Sequence, residues 1–317
     1  MGWLIWKWNF YGALLPNTFY AKGKAFLLAD GLQYLGLFGL SYLLVIPAIA
    51  IMVRLRQVLA GMTPWLAFGW ALTSSWLLYL FAIGGDFMEF RLLVPILPAL
   101  YLGIGHFLYV TLSDQWWRHA IWGLLLLANV AHGPTFGNWY SSWPMMPIIA
   151  TRSTEKAGFM SYAAQGQAIR QRIGQAAHLR MAIGGAGAFP YYARYPFTDL
   201  FGLTDPITAQ TGIQVDWAPG HIKLATLSHL NAEGVNLIIL RCDPISKPYP
   251  STILDGSQII LQAMLDHEPN KWNLAQLRFL QIPLNHQFYL SCIYLQAHPR
   301  LDTLIQTGEI QEITQRL

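Results

Sequence analysis

The chain has 317 residues, of which 54% are hydrophobic and only 11% charged, with a formal net charge of +4. An average soluble domain carries roughly 25% charged residues, so part of this chain is suited to a bilayer. It lacks any Lys/Arg run long enough to track a phosphate backbone, which argues against a nucleic-acid reader.

The shortage of charge is uneven. Residues 1–133 hold nearly all the long apolar runs, whereas 151–317 carry most of the Asp, Glu, Lys, Arg and His. The expected organisation is therefore an α-helical multi-pass membrane domain of three to four spans over 1–133, followed by a soluble α/β domain over 134–317.

In chain order, Trp3 to Tyr11 is an aromatic run too short to span, and its tryptophans and tyrosine suit the headgroup zone. Asn17, Lys22 and Lys24 follow on the same expected membrane face. They offer an amide and two ammonium groups to an anionic head, or they are lysines that snorkel. The run 32–53 is long enough to cross a ~30 Å hydrocarbon core, which takes about 20 apolar residues. It ends at Arg54-Leu55-Arg56. A second span is expected over 65–83 and a third over 92–112, where Pro95 and Pro98 should break or kink the first turns. The fourth run, 116–131, is the shortest and starts beside Arg118 and His119. Arg54, Arg56 and Arg118 place their loops on the cytoplasmic side. The 84–91 turn and everything after residue 133 are then expected outside. Lys7, Lys22 and Lys24 oppose that orientation, unless an anionic ligand holds them outside.

Between the second and third runs stands Gly84-Gly85-Asp86-Phe87-Met88-Glu89-Phe90-Arg91, a charged turn at membrane depth. Ionisable groups in that position are costly and usually kept for a task. A carboxylate such as Asp86 or Glu89 can take a proton from an attacking hydroxyl, and Arg91 can stabilise charge on a phosphate leaving group. The plainer reading is a self-neutralising turn in which Arg91 pairs with Asp86 or Glu89.

In the later part, 162–177 reads as an amphipathic helix and 179–183 and 235–242 as buried strands, with a further helix over 258–265 and a strand over 287–296. Gly184-Gly185-Ala186-Gly187 follows a strand, but Pro190 stands where a dinucleotide motif needs its third glycine. Cys242 and Cys292 are too few for a zinc pattern, and the sequence leaves a disulfide between them open. Tyr191, Tyr192, Asp199, Asp205, His221 and Lys223 fall in a loop-rich stretch of the sort that binds sugars. Asp205-Pro206 is equally a turn opener, and Asp199 equally a helix cap.

Several of these stretches taken together resemble a known family. They are Tyr11-Gly12 with Leu15 to Lys22, Gly84 to Met88 with Arg91, Pro190-Tyr191-Tyr192, Asp199, Gly202 to Pro206, and Gly220 to Lys223. In order and spacing they resemble the C-terminal portion of a bacterial multi-pass glycosyltransferase family that includes the mycobacterial terminal arabinofuranosyltransferases and a related flagellar motor control protein. The resemblance implies a GT-C-type enzyme of the bacterial plasma membrane with an extracytoplasmic C-terminal domain. Its donor would be a polyprenyl-phosphate-linked sugar, arabinofuranose in the best-known relatives, and its acceptor a glycan outside the cytoplasm. It implies Asp86 and Arg91 at the donor or acceptor site, where the charged turn adds Glu89 as a catalytic candidate, with Asn17 and Lys22 near the phosphate and the α/β domain covering the site or holding acceptor. It also implies that the family's catalytic acid lies upstream of Met1, so that this chain would need an N-terminal half. The competing expectation is a non-catalytic membrane protein whose outer domain docks on a motor or envelope partner.

Overall fold

The computed structural model describes residues 2–22, 27–86, 89–139, 160–218, 221–244 and 257–313. The chain divides into two compact units, each with its own core. One comprises 25–153 with 218–220, and the other comprises 1–24, 154–217 and 221–317.

The helical unit contains α3 (Leu28–Ser41), α4 (Val45–Val53), α5 (Leu55–Ala60), α6 (Pro64–Ile83), a 3-10 turn (Arg91–Ile96), α7 (Leu97–Thr111) and α8 (Gln115–Trp139). Among the described residues, Pro64–Ile83 and Arg91–Thr111 are long and apolar enough to cross a membrane. A third crossing is added if α3 and α4 count as one span. The span expected over 32–53 falls on this bent pair. The chain bends by 99° between α3 and α4, where Leu43 adopts a left-handed φ of 56°. Pro47 lacks the N–H that would bond the Leu43 carbonyl, so the helical ladder is interrupted there. The run expected over 116–131 lies in α8. That helix is not among those apolar enough to span, because Arg118, His119, Asn129 and His132 dilute it.

α6 starts on Thr63, whose hydroxyl accepts from the Leu66 N–H at 3.3 Å, with Pro64 in the first turn. It packs closely on α3 because Gly31 has no side chain: a Cβ there would stand 1.9 Å from the Phe81 carbonyl oxygen. At the next break, Pro95 sits in the 3-10 turn and Pro98 in the first turn of α7. The Trp76 indole donates to the Leu92 carbonyl at 2.7 Å, supplying from α6 a hydrogen bond within the irregular segment. α7 and α8 are tied by Tyr101 and Asn129: the phenol donates to Asn129 Oδ1 at 3.0 Å.

The second unit opens with α1 (Gly2–Tyr11) and α2 (Asn17–Lys22), and α2 packs on later elements of this unit, α11 (Pro206–Thr211) and β4 (His221–Leu224). Its main sheet has the order β2-β1-β5-β7-β6-β8. These strands are β1 (Met181–Ile183), β2 (Phe197–Asp199), β5 (Leu237–Pro244), β6 (Arg278–Pro283), β7 (Phe288–Tyr294) and β8 (Gln311–Ile313). β1 runs parallel to β2 and β5, and the remaining pairs are antiparallel. β3 (Ile213–Ala218) pairs with β4 in a separate ribbon.

Alternate residues of each strand face opposite ways, and here both faces are covered, which is why the strands read as unbroken apolar runs. Met181, Ile183, Leu237 and Ile239 pack with α9 (Tyr162–Ile173), α10 (Ala188–Ala193) and α14 (Pro299–Gln306). Ala182, Ile238 and Ile293 pack on the other side with α12 (Leu227–Ala232) and α13 (Ser257–His267). Cys242 and Cys292 lie on neighbouring strands in the first of these cores and are not joined by a disulfide. Burial pushes the Cys292 thiol far above the ordinary thiol range, leaving it inert.

Candidate functional site

The charged turn of the helical unit is built by its glycines. α6 ends at Gly84 with φ 82°, and Gly85 continues at φ 79°, both left-handed. A Cβ on Gly85 would meet the Tyr34 ring at 2.3 Å, so only glycine lets the chain double back this tightly over α3. Tyr34, itself fully buried, donates its hydroxyl to the Glu89 carbonyl at 3.0 Å.

That reversal carries Asp86 inward to 3% exposure. Both of its oxygens accept from Arg91: Nε reaches Oδ2, and Nη2 reaches Oδ1 at 3.1 Å. The Arg91 side chain is 44% exposed. An arginine with an exposed side chain is thus held in a fixed plane by a buried carboxylate, in the fork geometry that arginine forms with oxyanions. Phe87 and Met88 lie outside the described residues.

Glu89 is also buried, and it meets a group the sequence reading missed. Its Oε1 lies 2.6 Å from Nε2 of His132, which belongs to α8 and is buried too. The imidazole stacks on Tyr42 with ring centroids 4.6 Å apart and tilts against Phe90 at 5.6 Å. Aromatic walls and a short hydrogen bond fix the imidazole's orientation. A carboxylate on one ring nitrogen sets which nitrogen faces outward, an arrangement used in acid–base sites. The only sequence signal for His132 was its place one residue beyond the apolar run 116–131.

The candidates of the α/β unit have different surroundings. Asp199, at the end of β2, is 1% exposed and accepts from the backbone N–H groups of Phe201 and Thr204, both at 2.9 Å. Asp205 caps α11, accepting from Ile207 N–H at 3.3 Å and Thr208 N–H at 3.2 Å. Its Oδ2 also lies 2.7 Å from Nε2 of His229 on α12, a partner the sequence did not announce. Lys223 is 5% exposed and donates to the Gly212 carbonyl at 3.2 Å. These are bonds that shape loops: Asp205, expected as a turn opener, is the N-cap of α11, whereas Asp199, expected as a helix cap, holds the turn after β2.

Tyr191 and Tyr192 stand on α10 in edge-to-face contact, 5.1 Å between centroids, with Tyr191 76% exposed. Asn17 lies on α2, whose packing on α11 and β4 brings it into the neighbourhood of the elements carrying Asp205, His221 and Lys223. The side chains of Lys22 and His221, and all of Lys24, lie outside the described residues. Asp86, Glu89 and Arg91 share one turn of the helical unit. The other candidates belong to the second unit, where Tyr191 and Tyr192 stand on a helix separate from the capping aspartates. Among the described residues no three His, Cys, Asp or Glu side chains gather as a metal site requires.

Compared with known proteins, residues 149–294 are similar to a family described as a domain of unknown function, DUF8728. The matched stretch carries α9 through β7 and none of the apolar helices. No curated protein and no solved structure matches the chain.

Proposed function

We propose that this chain forms part of a membrane-embedded glycosyltransferase that takes a sugar from a polyprenyl-phosphate donor and passes it to a glycan acceptor outside the cytoplasm. One observation carries this reading. Two acid–base pairs, Asp86–Arg91 and Glu89–His132, are set in or against a single turn at the end of a 20-residue apolar helix. Transfer from a phosphate donor needs charge stabilised on the leaving phosphate and a proton removed from the attacking hydroxyl. In this reading Arg91, held by Asp86 and open at its surface, receives the phosphate, and the Glu89–His132 pair governs the proton. The exposed Tyr191–Tyr192 pair offers aromatic faces on which acceptor sugars would stack.

A second reading draws on the burial of Asp86 and the occupation of both its oxygens by Arg91. A carboxylate so engaged suits a turn that merely neutralises itself, in a non-catalytic membrane protein whose α/β unit docks on a partner. Binding separates the two. The detergent-solubilised protein should bind a polyprenyl phosphate at least tenfold more tightly than the matching prenyl alcohol, and Arg91→Gln should remove that preference. Equal binding of phosphate and alcohol would reject the transferase reading in favour of the second.

A further inference from the structure

The topology of the main sheet opens a crevice at the carboxyl end of β1. That strand runs parallel to both of its neighbours, β2 and β5. The chain leaving β1 passes into α10, which packs on the face that holds Met181 and Ile183. The chains leaving β2 and β5 reach their core helices, α12 and α13, on the opposite face, with Ala182 and Ile238. Parallel neighbours whose connections depart to opposite faces leave a crevice outside their carboxyl ends, and open α/β sheets bind ligands there.

Exposed tyrosines and a glycine loop border this crevice. A Cβ on Gly185 would stand 3.5 Å from the ring of Tyr162, the first residue of α9, so that ring lies beside the loop after β1. One turn along α9, a Cβ on Gly166 would stand 2.5 Å from the Phe189 carbonyl oxygen and 3.1 Å from the Tyr192 Cβ. Glycine there lets α9 and α10 touch, which brings Tyr191 and Tyr192 to the same end as Tyr162. All three rings are exposed. At the floor, a Cβ on Gly184 would stand 2.5 Å from the Phe201 ring, so the loops after β1 and β2 close on one another. Among the described residues, the N–H groups of Gly185, Ala186 and Gly187 donate no hydrogen bond. No residue in 160–164 or 184–193 is charged.

We infer that this crevice binds a neutral glycan, its sugar rings lying on the tyrosine faces and its hydroxyls bonding to the phenols and the loop amides. A sugar ring has an apolar C–H face and a polar rim, and tyrosine answers both with an apolar ring and a polar tip. An uncharged lining suits an uncharged ligand and offers no cation to a phosphate, unlike the charged turn of the helical unit. The crevice stands on the sheet topology. The choice of a glycan as its ligand rests on the transferase reading, in which this is where acceptor is held.

The test uses full-length protein in lauryldimethylamine oxide, a detergent without a sugar headgroup. It is titrated calorimetrically with four neutral linear hexasaccharides: an arabinan, a galactan, a mannan and a glucan. Wild type should bind at least one. Tyr191→Ala should weaken that binding about tenfold, whereas Tyr191→Phe, which keeps the ring, should retain most of it. Gly187→Leu should abolish it, because a Cβ at Gly187 meets nothing within 4 Å and the leucine would stand in the crevice without disturbing the fold. Circular dichroism and a monodisperse elution profile confirm that each variant is folded. Wild type that binds none of the four would overturn the site, and undiminished binding by folded Tyr191→Ala and Gly187→Leu would overturn its location. The prenyl-phosphate comparison is read separately. Glycan binding without a preference for phosphate would keep this crevice and reject the transferase reading, and the preference without glycan binding would do the reverse.

Discussion

Both units bury carboxylates, but they satisfy them differently. In the α/β unit, buried Asp199 accepts from backbone N–H groups two and five residues away, and partly buried Asp205 accepts from those two and three residues away while its Oδ2 also faces His229, so both hold a turn or a helix start in shape. In the helical unit, Asp86 and Glu89 accept from the side chains of Arg91 and His132. A backbone amide cannot gain or lose a proton, whereas a guanidinium or an imidazole carries the charge that chemistry on a phosphate requires. Carboxylates bound to amides read as architecture, and carboxylates bound to ionisable side chains keep a function open.

The contrast breaks most visibly if one partner is removed. Arg91→Leu would strand the Asp86 charge inside the helical unit, and losing one member of a buried pair typically costs about 3–5 kcal/mol. Thermal unfolding of the detergent-solubilised protein should show that loss, and the double variant Asp86→Leu/Arg91→Leu should recover most of it. If the single variant unfolds like wild type, Asp86 is not held by Arg91 in the way described. A smaller effect is expected at Asp205. Asp205→Ala should cost about 1–2 kcal/mol through loss of the helix cap. Asp205→Asn, whose one carbonyl oxygen still accepts from one of the two helix-start amides, should cost less than the alanine variant. Equal losses would mean that the charge facing His229, and not the cap, is what matters, and would move Asp205 into the same class as Asp86.

How much of this was legible follows from where each signal resides. Strands β1, β5 and β7 announced themselves as apolar runs because both faces of the sheet are covered, whereas Asp205-Pro206 read as a turn opener and proves to start α11. The break between α3 and α4 was hidden by composition, since apolar residues fill both sides of the bend. Pro47 was its one mark, and a proline near the middle of a run also suits a mere kink. The turn at 84–91 was legible as charge between apolar runs, and the sequence left Arg91 to pair with Asp86 or Glu89; the structure takes Asp86. His132 was not legible: it stands 43 residues from Glu89, and only the packing of α8 joins them. His229 pairs with Asp205 across 24 residues for the same reason. Partners that are distant in sequence leave no periodic trace.

The smallest effect asks whether the buried polar groups of the α/β unit stay architectural across the ordinary pH range. Tyr294 ends β7, where its hydroxyl accepts from the His298 N–H at 2.6 Å and donates to Asp302 Oδ1 at 2.9 Å, with the Arg278 guanidinium 4.8 Å from its ring. Burial pushes its phenol from 10 up to about 12. Its folded value lies above its unfolded one, so the stability linked to its proton is whole below pH 10 and declines as pH rises towards 12. Tyr294→Phe should cost about 1 kcal/mol at neutral pH, since the His298 N–H loses its acceptor. It should also flatten the fall in unfolding temperature between pH 10 and 12. A fall as steep as in wild type would mean that another group drives alkaline unfolding. A cost that instead appeared between pH 5 and 8 would mean that this network titrates in the range where the unit is expected to be inert, and the distinction between the two units would weaken.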